Sequence, residues 1–144
     1  MQTVGQYLAT KGHQVWTTRP DASVYEALEL MAEKDIGSLL VMEGEKLVGI
    51  FSERDYARKV ILHGKTSKET LVSEIMTFRV AYIRPEQSIE DCMAIMTELR
   101  IRHLPVLSGE EVVGVISIGD VVKSIISEQS FMIQQLENYI TSRR

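Results

Sequence analysis

Cysteine and long apolar segments are the features that this sequence has least of. The 144-residue chain contains one cysteine, Cys92, which excludes an internal disulfide framework and favours a buried packing residue. Its longest apolar runs, such as 39–42 and 112–116, fall far short of the roughly 20 residues that cross a bilayer. The first residues lack the basic start and apolar stretch of a secretory signal, so we expect a cytoplasmic protein.

An excess of charge of one sign and a catalytic residue cluster are also missing. The chain has 16 basic and 20 acidic residues, dispersed along its length, and a net charge of −4, which offers no broad field to a nucleic-acid backbone. No Cys–His or Ser–His–Asp arrangement, glycine-rich phosphate loop or metal-spaced His and Cys cluster is apparent in the sequence. We therefore expect neither an enzyme nor a metal site.

What the chain does contain is an internal repeat. Residues 44–60 (GEKLVGIFSERDYARKV) align without a gap to residues 109–125 (GEEVVGVISIGDVVKSI), at a constant offset of 65 positions. One structural unit is therefore used twice. We predict a first unit over residues 1–68 and a second over 69–144, with the polar segment 64–73 as the connector.

Both repeats predict the same opening elements. A short extended piece, 15–18 or 80–83, is ended by a proline, and Ser23 or Ser88 then caps a helix. Each helix carries an apolar stripe at helical spacing that should face a core. The stripes consist of Val24, Ala27, Leu28, Met31 and Ala32 in the first copy and of Ile89, Cys92, Met93 and Met96 in the second.

A hairpin and a second helix complete each repeat. Two apolar runs joined by a glycine-bearing turn predict the hairpin, and Ser52 or Ser117 starts the helix that follows. The predicted fold is α+β, made of two βαββα units. The last helix should continue to about residue 140 with a broad apolar face, which predicts a homodimer.

A short motif stands at the start of both second helices, in VGIFSERD and VGVISIGD. Ser52 precedes Asp55 by three residues, and Ser117 precedes Asp120 in the same way. Taken alone, such a pair is most simply a helix cap that needs no ligand. A cap does not, however, require the Val-Gly that precedes each motif.

The whole pattern resembles a tandem pair of cystathionine β-synthase (CBS) domains. IRHLPV (101–106), EIMT (74–77) and both SxxD segments match the family pattern, and the resemblance covers residues 3–128. It implies an adenosine-nucleotide sensor in which two pseudo-symmetric repeats pack sheet to sheet and leave two clefts. Asp55 and Asp120 would then accept the ribose hydroxyls, and Ser52 and Ser117 would contact phosphate.

The resemblance also assigns further residues to the two clefts by position. The first cleft would be formed by Trp16, Thr17, Ile36, Gly37, Ser38, Ser117, Gly119, Asp120 and Lys123. The second would be formed by Thr77, Ala81, Tyr82, Ile101, Arg102, His103, Ser52, Arg54, Asp55 and Arg58.

The two predicted clefts differ in charge. Arg54, Arg58 and Arg102 give the second cleft forked donors that grip phosphate oxygens, so we expect a diphosphate ligand such as ADP, ATP or NAD there. The first cleft has Lys123 as its basic residue and should take AMP or nothing. Arg54 and Arg58 also have the spacing of a solvated helix face.

These inferences predict a regulatory module that binds an adenine nucleotide (AMP, ADP, ATP or NAD) and senses energy or redox state. Its expected partners are the nucleotide, a second copy of the chain and a regulated protein, and neither nucleic acid nor a membrane is expected. The alternative is a ligand-independent dimerisation scaffold in which the SxxD pairs are only caps.

Overall fold

A computed structural model describes residues 2–142 as an α+β fold with two sheets, as predicted. Residue 1, at the start of the predicted first unit, and residues 143 and 144, at the end of the second, lie outside this range. The helices are α1 (Val4–Lys11), α2 (Val24–Lys34), α3 (Glu53–Lys59), α4 (Val72–Ile75), α5 (Ile89–Leu99) and α6 (Ile118–Ser142). The strands are β1 (Thr17–Thr18), β2 (Ser38–Glu43), β3 (Lys46–Ser52), β4 (His103–Ser108) and β5 (Glu111–Ser117).

The folded chain divides into two compact units that are not the two sequence repeats. Among the described residues, unit 1 contains 2–13, Ile83–Val106 and 114–142. Unit 2 contains Gln14–Tyr82 and Leu107–Val113. The N-terminal helix of the first repeat therefore folds with segments of the second repeat. The repeat boundary at residue 68 stays a prediction about sequence units.

Unit 2 is built on the sheet β1-β2-β3. β1 runs parallel to β2, and β2 runs antiparallel to β3 with Ser38 opposite Ser52. The Ser23 hydroxyl accepts the Glu26 N–H at the start of α2, as the capping prediction requires. The core combines side chains of α2, β2, β3 and α4 with Val60, namely Val24, Ala27, Met31, Leu39, Val41, Phe51, Val60, Val72 and Ile75.

Unit 1 contains α1, α5 and α6. Ser88 and Asp91 form a reciprocal capping box at the start of α5, which confirms the second cap prediction. Cys92 is fully buried, and burial is the main reason that its pKa rises to about 12, so the thiol is a packing group as expected. The other buried apolar side chains of unit 1 are Val4, Leu8, Ile83, Ile89, Met96, Leu104, Val106, Ile116 and Val121.

The opening strand predicted at residues 80–83 is wrong in its extent. It is reduced to a single parallel bridge between Ile83 and Val106, whereas β1 in the first repeat is a short strand. The next ladder hydrogen bonds on either side of this bridge would need N–H groups from Pro85 and Pro105, and proline has none. Leu40 takes the place of Pro105 in the first repeat, and its N–H bonds to the Trp16 carbonyl at 3.3 Å.

Two helices were not predicted, and the helix stripes are narrower than expected. α1 and α4 precede the strands of their repeats, and the 65-residue offset aligns α4 with residues 7–10 of α1. Ala32 and Met93, both assigned to core-facing stripes, are exposed. Each repeat thus begins with a leading helix that the predicted βαββα unit did not include.

The long C-terminal helix is present as predicted. α6 exposes large apolar side chains along most of its length, with Phe131 at 65% and Ile133 at 58% of full exposure. Within residues 2–142, no helix combines the length and the apolar content that a membrane span needs.

Candidate functional site

Three Ser-x-x-Asp capping boxes occur in the described chain, at Ser52, Ser88 and Ser117. In each box the backbone N–H of the serine donates to the aspartate carboxylate, at 3.0 Å for Asp55, 3.0 Å for Asp91 and 2.7 Å for Asp120. The serine hydroxyl accepts the aspartate N–H in return. The motif by itself therefore forms a helix cap, which was the simpler of its two interpretations.

Asp55 has more partners than a cap provides. Its side chain is buried, and besides Ser52 it accepts the Thr77 hydroxyl at 3.3 Å. Lys59, one turn further along α3, forms an ion pair with it at 3.2 Å. The same ammonium donates to the Ile75 carbonyl at 3.2 Å. Asp55 and Lys59 therefore connect α3 to the end of α4 at Ile75 and to Thr77, which follows that helix.

Asp120 is also buried and also holds two donors beyond the cap, which come from a different element. Tyr7 on α1 donates its hydroxyl at 3.0 Å. Lys11 on the same helix forms an ion pair at 2.6 Å and donates to the Val115 carbonyl at 2.7 Å. Asp91 has no such additional donors among the contacts of the described residues, and it is exposed. Two of the three boxes are thus buried polar clusters.

The Asp120 cluster shifts the ionisation of its members. Burial would raise the pKa of Asp120, but the hydrogen bonds from Lys11 and Ser117 outweigh it and hold that pKa below its ordinary value. Burial, followed by the hydrogen bond to Asp120 and its charge, raises the pKa of Tyr7 to about 12. Burial lowers the pKa of His103. The charge of Asp120 opposes this shift, whereas the charges of Lys11 and Arg102 add to it.

The glycine before each motif has a packing role. A Cβ at Gly49 would lie 2.6 Å from the Met76 sulfur and 3.0 Å from the Thr77 carbonyl oxygen. A Cβ at Gly114 would lie 2.8 Å from a Leu8 methyl carbon. In both repeats the glycine lets a leading helix, or the residues just after it, lie against the strand. The Val-Gly pair therefore carries no information about a ligand.

Backbone groups at the helix starts are already bonded within the protein. The Glu53 N–H donates to the Gly37 carbonyl at 3.1 Å, and the Ile118 N–H donates to the Arg102 carbonyl at 2.8 Å. Ser38 also pairs with Ser52 across the sheet. Gly37 and Ser38 are thus neighbours of Ser52, although position matching assigned them to the other cleft. The backbone N–H groups of Glu53 and Ile118 are therefore not available for the phosphate contact that was predicted at Ser52 and Ser117.

The remaining predicted site residues differ in exposure. Trp16 is half-buried against the core of unit 2, with the Lys34 ammonium 4.3 Å from its ring centre. The two predicted nucleotide clefts each combine residues of units 1 and 2, so the clefts themselves stay predictions. Half-buried positions are Ile36, Ala81, Ile101, His103 and Ser117, whereas exposed positions are Thr17, Arg54, Arg58, Thr77, Tyr82, Arg102, Gly119 and Lys123.

Three contact residues were missed by sequence reasoning, namely Tyr7, Lys11 and Lys59. Lys59 could have been found, because it follows Asp55 by four residues on a predicted helix. Helix α1 had a signal too, since Thr3 and Gln6 form a capping box before buried Val4. No spacing rule links Lys11 to a carboxylate 109 residues away.

Comparison with known proteins identifies the family. A model of the CBS domain matches residues 4–62 and 72–127. The chain belongs to the CBS domain family. It is 37% identical over 148 residues to the Arabidopsis thaliana CBS domain-containing protein CBSX3, mitochondrial, covering 96% of this chain and 71% of that relative.

Solved CBS structures have the same fold. A protein with CBS domains from Burkholderia ambifaria MC40-6 is 53% identical, with a TM-score of 0.86 over 89% of this chain and 96% of that one. A hexameric CBS-CP12 protein from bloom-forming cyanobacteria is 30% identical, with a TM-score of 0.74 over 83% of this chain and 66% of that one. CBS pairs are generally regulatory, ligand-binding and non-catalytic modules, which agrees with the regulatory role predicted from the sequence.

Proposed function

We propose that this CBS pair is a regulatory module that binds an adenine nucleotide, AMP, ADP, ATP or NAD, and senses energy or redox state. The observation that supports the proposal is the contrast between Asp55 and Asp120 on one side and Asp91 on the other. All three cap a helix, but the first two are buried and receive donors from further side chains. Such donors can give way to ribose hydroxyls without leaving the carboxylate unpaired.

Asp55 is the better candidate for ribose binding. Its two additional donors are long contacts, 3.3 Å from Thr77 and 3.2 Å from Lys59, and the Lys59 side chain is 45% exposed. An ion pair between residues four apart on one helix contributes only about 0.3–0.5 kcal/mol, and the Lys59 end of this pair is open to solvent, so displacing the lysine costs little. Arg54 and Arg58 lie on the same short helix, and a diphosphate ligand would use their charge.

Asp55→Ala tests the proposal, with Asp91→Ala as the matched control. Both changes remove the aspartate of a capping box and should lower stability, more for buried Asp55 than for exposed Asp91. Stability alone cannot separate a cap from a binding site, so affinity is the deciding measurement. Calorimetric titration with AMP, ADP, ATP and NAD should show binding that Asp55→Ala strongly weakens and Asp91→Ala retains, the affinity that remains in Asp55→Ala being that of the Asp120 position. Absence of binding by the wild-type chain to all four nucleotides would show the proposal to be wrong.

Dimerisation is a second proposed property, favoured by the exposed apolar side chains of α6. Residues such as Phe131, Ile133 and Leu136 expose more than half of their surface, and a second copy of the chain would bury them. Truncation after Ser127 followed by light scattering should then give a monomer. An unchanged mass would show that α6 is dispensable for assembly. The alternative of a ligand-independent scaffold predicts the same dimer with no nucleotide binding.

We further propose that the module has no catalytic activity of its own and acts on a regulated protein. The cytoplasmic location stays a prediction, since one relative carries a mitochondrial name. A hydrolysis assay with ATP and NAD tests the first point directly.

A further inference from the structure

The carboxylate of Asp120 has too few acceptor positions left for both hydroxyls of a ribose. A carboxylate offers about four lone-pair sites. On one oxygen Asp120 accepts the Tyr7 hydroxyl, and on the other it accepts the Lys11 ammonium and two groups of Ser117, at 2.7 Å and 2.9 Å. One position is left, on the oxygen that accepts Tyr7, so the two ribose hydroxyls can bind together only by replacing at least one of these donors.

The donors that can be replaced belong to α1. The two Ser117 contacts form the cap of α6, and breaking them would open the start of that helix. Tyr7 and Lys11 lie 113 and 109 residues away from Asp120 in the sequence and reach it only because α1 is docked. Access to Asp120 therefore depends on the position of this helix.

The two ends of α1 are held by different interactions. At its N-terminal end, the Val4 and Gly5 N–H groups donate to the carbonyls of Gln87 and Pro85. At its C-terminal end, side-chain contacts from Lys11 reach Asp120 and Val115. Gly12 follows with φ at 104°, a conformation that favours glycine. Leu8 is buried against Gly114, so the part of the last turn that can yield is the end of α1 beyond Leu8.

We propose that the C-terminal turn of α1 is an internal competitor for the ligand at Asp120, so that ribose binding there and docking of this turn exclude each other. This inference rests on the proposed nucleotide function and adds its regulation. Occupancy of Asp120 loosens the last turn of α1, and a docked turn keeps the position closed. The two states of this turn are then the conformations between which the ligand selects.

Adenosine is the sharpest probe, because it carries the ribose hydroxyls and no phosphate that Lys11 could attract. The variants are made in an Asp55→Ala chain, which removes the other ribose-binding carboxylate. Adding Lys11→Met should tighten adenosine binding by about 5- to 30-fold, since a partly buried, charge-assisted contact of roughly this strength no longer competes. Lys46→Met, which removes an exposed lysine at the start of β3, is the charge-matched control and should change nothing.

Titration followed by NMR gives the affinity, and hydrogen exchange gives the state of α1. The Gly12 N–H, which donates to the Leu8 carbonyl at 2.7 Å, should exchange faster in Lys11→Met and also when adenosine saturates the Asp55→Ala chain. 2′-Deoxyadenosine lacks one ribose hydroxyl and should bind more weakly to the double variant than adenosine does.

The results separate this inference from the proposed function. If the wild-type chain binds AMP but Lys11→Met leaves adenosine affinity unchanged in the Asp55→Ala chain, the competitor role is wrong and the proposed function stands. Adenosine binding that leaves Gly12 exchange unchanged also overturns the coupling to α1. If the wild-type chain binds none of the four nucleotides, the proposed function is wrong and the inference falls with it.

Discussion

Asp55 and Asp120 are equivalent positions in the two repeats, yet their surroundings are assembled differently. Each carboxylate has a lysine whose ammonium also donates to a backbone carbonyl. Lys59 lies four residues from Asp55 on the same helix, whereas Lys11 reaches Asp120 from another helix at a shorter distance. A local pair can rearrange alone, whereas a non-local pair changes only with the element that carries it. The two repeats thus share the cap but differ in the element that carries the lysine paired with the aspartate.

The glycines before the two motifs show the opposite behaviour, because both copies kept the same constraint. Gly49 lies against Met76 and Thr77, and Gly114 lies against Leu8. Both contacts bring a leading helix, or the residues that follow it, close to a strand. The repeats therefore agree in backbone packing and differ in side-chain chemistry.

The largest expected effect tests this shared packing. Gly49→Ala and Gly114→Ala should each lower the free energy of unfolding by about 1–3 kcal/mol, the usual cost of overpacking. Gly49→Ala should cost more, because the Thr77 carbonyl is fixed by hydrogen bonding between the Ile50 and Thr77 backbones, while Gly114 meets only side-chain carbons. Urea unfolding measures both. A larger loss for Gly114→Ala would contradict this order.

The two lysines should differ in their contribution to stability. Lys11→Met breaks a short, partly buried charge-assisted contact and should cost about 1–2 kcal/mol. Lys59→Met breaks a longer pair within one helix, whose lysine is more exposed than Lys11, and should cost about 0.3–0.5 kcal/mol. The measurement is the unfolding midpoint in urea at constant pH. Equal losses would show that the two carboxylate positions are equivalent despite their different donors.

Much of the fold could be predicted because repetition doubles each local signal. The caps at Ser23, Ser88, Ser52 and Ser117 lie where the sequence placed them, and Gly64 ends the segment after α3 in a left-handed conformation. The error at residues 80–83 came from a physical detail that the pattern hides. Pro105 was treated as one strand residue among others, although its missing N–H prevents the ladder from extending.

The candidate site was predictable only in its local part. Serine and aspartate three residues apart specify a cap from sequence alone, and so Asp55 and Asp120 could be named. Their other donors depend on which segments fold together, and residues 2–13 join segments of the second repeat. Neither composition nor spacing contains that exchange. The charge assigned to the Asp120 position was incomplete for this reason, since Lys11 was not counted.

The smallest expected effect is on the pH dependence of stability. It arises from His103, whose counterpart in the first repeat, Ser38, carries no titratable group. Burial lowers the folded-state pKa of His103, with Lys11 and Arg102 adding to the shift and Asp120 opposing it. Below about pH 6.5 the unfolded chain binds a proton that the folded chain does not, so stability is present above that pH and falls as the pH decreases. His103→Gln should therefore reduce the loss of unfolding free energy between pH 7.5 and 5.5. Asp120, whose pKa is held low, contributes stability that is lost only below about pH 4, so a change confined to that range would assign the effect to Asp120 rather than to His103.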